Sequence, residues 1–202
     1  TPAGVPTIFN GRVYGVTFGS SGDELWVLHA THLYRLDWKM NKVLESAPLG
    51  GSPGLQSLVW DGTQALAGLT SRGSGRNDPA AKVQLAAFAG GRKTVKAAEL
   101  GTFIAGALSV AAEDNAKGQR IAVLPLIANN KLAVVDLKTG TVLGRADTGI
   151  APFGSAVARD GSVAYVTNWG GRLPKAGDPV APTGLAADAD KVVVDARGVA
   201  AT

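Results

Sequence analysis

The sequence predicts an all-β fold, a β-propeller of four-stranded antiparallel blades, and three observations predict it. Short apolar runs bounded by turn residues recur along nearly the whole chain. No long helical periodicity competes with them. The runs also repeat as a group: LYRLD at 33–37, VQLAA at 83–87 and LAVVD at 132–136 are each a strand followed by a turn, spaced roughly 50 residues apart, which is the period of a propeller blade.

Taken in order, the candidate strands occupy 13–18, 25–28, 33–36, 55–60, 65–69, 83–87, 107–111, 121–124, 132–135, 156–158 and 163–167. Gly22-Asp23, Asp61-Gly62, Thr139-Gly140 and Asp160-Gly161 each separate two apolar runs, where a hairpin needs positive φ. VTFGSSGDELWVL, LVWDGTQALAGL and AVARDGSVAYVT share one form: apolar run, Gly/Asp turn, apolar run. Each unit therefore reads as strand A, turn, strand B, variable loop, strand C, turn, strand D. The blades fall at about 7–51, 52–101 and 102–149, with an incomplete fourth at 150–202, so the chain holds three and a half to four blades of one domain. A β-sandwich is the alternative, and it leaves the repeat unexplained. Asp37 and Asp136 end equivalent C strands, which assigns them to turns rather than to catalysis.

Composition agrees with a packed fold. Hydrophobic residues make up 46% of the 202-residue chain against 18% charged, ample for a core. No apolar run reaches the length of a membrane-spanning helix. The chain lacks cysteine, so neither a disulfide framework nor a thiolate metal site is available to it. A start at Thr1-Pro2-Ala3-Gly4, without initiator Met or leader, suits a mature chain after signal-peptide removal and sets the expected location as periplasmic or secreted. The net charge of +4 is scattered rather than blocked, the mark of a mildly basic surface; with no basic stripe interleaved with aromatics, nucleic acid is disfavoured as a partner.

The segment IAPFGSAVARDGSVAYVTN at 150–168 resembles the repeat of the YVTN-type, YncE-like seven-bladed propellers, in which an A strand, an Asp-Gly turn and a B strand ending in Tyr-Val-Thr-Asn follow one another. KLAVVDLKTGTVLGRADTG at 131–149 is similar to the second half of that repeat. Blades 1 and 2 match less closely, with Leu25-Trp26-Val27-Leu28 and Ala65-Leu66-Ala67-Gly68 in place of the motif. Blade 3 departs further. NWGGRLPKAGD at 168–178, followed by VVVDARG, is similar to a long insertion in propellers fused to an alkaline-phosphatase-like domain. The resemblance implies a ring of seven blades. Four at most would leave end faces and a sheet edge uncovered, so the expected partner is the remaining C-terminal blades as a second polypeptide, cut in an exposed loop. A homo-oligomeric or domain-swapped ring is the competing arrangement.

The loop at 168–190 reads as a long B-to-C insertion, and 191–195 (KVVVD) reads either as a C strand or as part of that insertion. In a propeller the B-to-C and D-to-A loops emerge on one face. With the second long insertion at 70–81, that face collects Arg72, Arg76, Trp169, Arg172 and Lys175, joined by His29, Asn129 and Asn130. Guanidinium groups beside a Trp suit an anionic, planar or sugar-like small molecule. His29 and His32 have no third ligand nearby, so no metal site is assigned. No nucleophile, Walker or dinucleotide fingerprint is present, no cofactor is named by the residues, and Gly73-Ser74-Gly75 reads as loop spacing. The expected function is a binding or interaction scaffold. The alternative is part of a propeller hydrolase, lactonase-like or phosphoesterase, whose site other blades or a fused domain would complete.

Overall fold

The computed structural model describes residues 4, 6–71, 80–182 and 191–200. It is all-β. Three four-stranded antiparallel sheets follow one another, each in simple up-and-down order, and a two-stranded sheet begins a fourth unit. Blade 1 comprises β1 (Val13–Phe18), β2 (Glu24–His29), β3 (His32–Asp37) and β4 (Lys42–Pro48). Blade 2 comprises β5 (Gly51–Trp60), β6 (Ala65–Ser71), β7 (Val83–Ala89) and β8 (Arg92–Ala97). Blade 3 comprises β9 (Ser109–Val110), β10 (Ile121–Leu126), β11 (Lys131–Asp136) and β12 (Thr141–Asp147). The fourth unit pairs β13 (Pro152–Val157) with β14 (Ala164–Asn168).

The strands form where the apolar runs are. All six residues of β10 are buried, as are six of the seven in β6, because the middle strands of a blade are covered on both faces. The outer strands are different. β4, β8 and β12 mix polar and apolar residues without strict alternation and are largely exposed, so they show in the sequence only through the blade frame. The predicted inner strand at 107–111 is reduced to Ser109–Val110.

The blades pack face to face. Trp26, Leu28 and Leu33 of blade 1 meet Leu58, Ala67, Leu69 and Phe88 of blade 2. Leu66, Leu85 and Ala87 on the other side of blade 2 meet Ala122, Leu124 and Val135 of blade 3. Ile121, Val123 and Leu132 then pack against Val157 and Val166 of the fourth unit. Inner backbones approach closely at two glycines. A Cβ at Gly106 would lie 2.5 Å from the Phe153 carbonyl oxygen, and one at Gly54 would lie 2.9 Å from those of Ala105 and Gly68, so neither position has room for a side chain.

Hydrogen bonds stitch one blade to the next. The Leu55 N–H donates to Ala105 O (2.9 Å) and the Ala107 N–H to Phe153 O (2.8 Å). Further out, Lys93 Nζ donates to Leu49 O (2.6 Å), and Arg145 Nε and Nη2 donate to the carbonyls of Leu100 and Glu99 (2.7 and 2.9 Å).

The segment 191–195 is resolved in favour of the insertion. β16 (Lys191–Val193) pairs antiparallel with β15 (Val180–Pro182), not with β14. Its Val192 packs by Ile150 beneath Gly170.

Candidate loop-face site

The B-to-C loops and the D-to-A linkers lie at one end of the blades and are bonded to each other. The Leu49 N–H donates to Thr31 O, the Ile127 N–H to Ile104 O, and the Thr148 N–H to Asn130 O. Beneath this end Ile127, Ile150 and Ala151 are buried, with Leu55, Ile104, Phe153 and Val192 packed on them.

Trp169 stands on this floor. Pro152 is the cross-strand partner of Asn168, and beyond that pair the Trp169 N–H donates to Ala151 O (3.0 Å) and the Gly170 N–H to Ile150 O (3.0 Å). Ala151 takes φ 52°, in the left-handed region, and its N–H is held by Asn130 Oδ1 at 2.9 Å. This tethered backbone sets the indole over Phe153, ring centroids 4.1 Å apart and 18° from parallel, while Trp169 keeps 56% of its surface open. An exposed indole backed by a second ring is a rigid stacking surface.

Arg172, His29, Asn129 and Asn130 are committed elsewhere. Arg172 forms a two-point ion pair with Asp178, Nη1 to Oδ2 at 2.6 Å and Nη2 to Oδ1 at 2.9 Å, and Nη1 also donates to Leu173 O. The Lys175 N–H donates to the same carboxylate at 2.6 Å. These bonds, the one from Arg172 first, hold the Asp178 carboxyl down to about 2, and the Asp178 hydrogen bond raises the Arg172 guanidinium above its ordinary value. Arg172 therefore closes its own loop instead of pointing an unpaired guanidinium at the face. Arg72 and Arg76 lie outside the described residues.

His29 is withdrawn from the face as well. It is buried, its Nε2 lies 3.1 Å from Asn10 O, and its ring stacks near Phe9. The Thr31 hydroxyl sits between His29 Nδ1 (3.3 Å) and His32 Nδ1 (2.9 Å). Asn129 accepts from the Thr102 N–H and donates to the Thr102 hydroxyl, and Asn130 caps Ala151 as above. These three side chains fasten loops. Among the described residues no three His, Asp or Glu side chains are grouped to hold a metal ion.

Phe153 and Asp178 are the site residues that sequence reasoning missed. Phe153 could have been suspected from its place beside Pro152, across the strand pair from Asn168. Asp178 carries no spacing signal.

Comparisons with known proteins bear on the fold. No protein-family model and no curated protein matches the chain. Among solved structures the chain is similar to Kuenenia stuttgartiensis hydrazine synthase, at 14% sequence identity and a TM-score of 0.59. The likeness covers 76% of this chain and 55% of that one, so the chain spans about half the length of that relative. At this identity the likeness is one of fold.

Proposed function

We propose that the chain contributes consecutive blades to a YVTN-type propeller serving as a binding scaffold, and that its loop face takes a planar or sugar-like ligand on the Trp169 indole. The observation that carries this reading is the half-open Trp169 ring stacked on Phe153 at 4.1 Å. A ring held from behind loses little freedom when a ligand covers it, and a sugar's C–H face or a planar group gains contact area there. Among the ligand classes expected of this face, the sugar-like one is favoured over the anionic one, because Arg172 is already neutralised by Asp178. The test is a glycan array carrying neutral and sulfated glycans, probed with the wild type and with Trp169→Ala. Neutral glycans should be bound and should lose about tenfold in affinity in the variant. Wild-type protein that binds no glycan, or a variant that binds undiminished, removes the reading.

A further inference from the structure

Asn10 and Gly11 lie just ahead of β1. Of the asparagines in the chain only Asn10 is followed by glycine. Both residues are exposed, and Gly11 takes φ +126°. A glycine leaves its own amide nitrogen unshielded and lets the backbone turn it toward the side chain before it. Neither the Asn10 side-chain amide nor the Gly11 N–H is hydrogen-bonded to any described residue. Asn41, Asn115, Asn129 and Asn130 differ on both counts: each has a bulkier successor and a side-chain oxygen held by a hydrogen bond.

The Asn10 carbonyl, by contrast, is held. A carbonyl oxygen can only accept, so His29 Nε2, 3.1 Å away, carries the hydrogen and donates it. Nδ1 of the neutral ring is then the acceptor, and it faces the Thr31 N–H (3.4 Å) and hydroxyl (3.3 Å). The ring is buried and stacked near Phe9, so the donor is fixed in place. What it touches is the peptide group that joins Asn10 to Gly11. When that group gives up its N–H proton, the negative charge is shared between the nitrogen and the Asn10 oxygen. A donor already aimed at that oxygen stabilises the anion as an oxyanion hole does.

We propose that Asn10 is a site of deamidation through a succinimide, and that His29 promotes the reaction through the Asn10 carbonyl. Base in the solvent takes the Gly11 N–H proton, and the nitrogen lone pair forms a bond to Asn10 Cγ. The Cγ–Nδ2 bond breaks, and Nδ2 leaves as ammonia with the proton that the base took. Water then opens the ring. Attack at Cγ gives aspartate. Attack at the α-carbonyl gives isoaspartate, in which the main chain runs to Gly11 through the side-chain carbons and the oxygen that faced His29 belongs to a free carboxylate. The balance is water consumed and ammonia released. Either product adds a negative charge beside His29, and isoaspartate also lengthens the backbone that leads into blade 1.

The test holds the wild type, His29→Ala and Asn10→Gln in mildly alkaline buffer and follows the tryptic peptide 1–12 by chromatography and mass spectrometry, which separate its amide, aspartate and isoaspartate forms. The wild type should react at Asn10, faster in the native state than in concentrated urea, while Asn10→Gln stays unmodified. His29→Ala should slow the native reaction about fivefold, the worth of one neutral hydrogen bond. A ring that only pins the segment moves the rate the other way, because a loosened Asn-Gly pair reacts faster. No modification of the wild type, a native rate no greater than that in urea, or an unchanged or faster rate in a folded His29→Ala overturns the proposal. Should circular dichroism show that His29→Ala does not fold, the native-against-urea comparison in the wild type decides alone.

Discussion

Arg172 and Asp178, six residues apart in the loop that follows β14, are joined by two parallel hydrogen bonds of 2.6 and 2.9 Å. This pair neutralises the Arg172 guanidinium at the loop face. Removing the carboxylate while keeping its shape, as Asp178→Asn, frees a guanidinium a few residues beyond Trp169. The variant should gain affinity for sulfated over neutral glycans on the same array, whereas Arg172→Ala should leave neutral-glycan binding unchanged. A carboxyl-carbon NMR titration should place Asp178 at about 2 in the wild type and return it toward its ordinary value of 3.8 in Arg172→Ala. The folded value is depressed, so the clasp is complete above the ordinary value and is lost as pH falls through the folded one.

Asp136 and Asp37 end equivalent C strands but carry unequal loads. Asp136 is buried; its Oδ1 accepts from the backbone N–H groups of Arg120 and Lys138, and its Oδ2 from the Thr139 hydroxyl. Asp37 accepts one bond of this kind, from the Met40 N–H. Asp136→Ala should therefore cost roughly 1–3 kcal/mol by stranding buried donors, and Asp37→Ala about 1 kcal/mol or less. Urea unfolding of both variants checks the order.

The contrast between these two aspartates also marks how far the sequence is legible. Their strands and turns can be read directly, because runs such as IAVLPL are covered on both faces and carry few polar residues. An outer strand such as RKTVKA has no such run and is found only by knowing that a blade needs it. Trp169 could be picked out, since a strand ends there in Gly-Gly. Its platform could only be suspected from the place of Phe153 beside Pro152, because Phe153 reaches it through a bulged strand pairing. The burial of His29 is not legible for a related reason: its ring is claimed by Asn10, 19 residues away, and no local pattern reports a contact of that range. The Arg172–Asp178 pair sits in irregular backbone, where spacing carries no information about facing.

Asp61 ties the stability of blade 2 to pH. Burial acts to raise its pKa, but hydrogen bonds from the Gln64 side chain, the backbone N–H groups of Thr63 and Gln64, and the Thr63 hydroxyl outweigh burial and lower it. A depressed folded value means that the ionised turn stabilises the fold above the unfolded value and stops doing so as pH falls through the folded one. Denaturation midpoints taken from about pH 6 down to about pH 3 should decline, and Asp61→Asn should flatten part of that decline. An identical slope in the variant would show that other carboxylates carry it.

Gly11 and His29 give the sharpest structural prediction. Gly11 has φ +126°, and a Cβ there would lie 2.7 Å from His29 Nε2, the atom that contacts Asn10 O. Gly11→Ala therefore meets both a backbone conformation that side chains rarely adopt and a collision with a buried ring, and it should cost roughly 1–3 kcal/mol. His29→Ala removes the collision partner, so the double variant should be less destabilised than the sum of the two single changes. Because the ring also packs near Phe9, exchange of the Ala30 N–H, which donates to Arg12 O, should quicken in His29→Ala while the strands of blade 3 keep their protection. Strict additivity of the two changes, or unchanged exchange at Ala30, would show that the imidazole does not hold the leading segment onto blade 1.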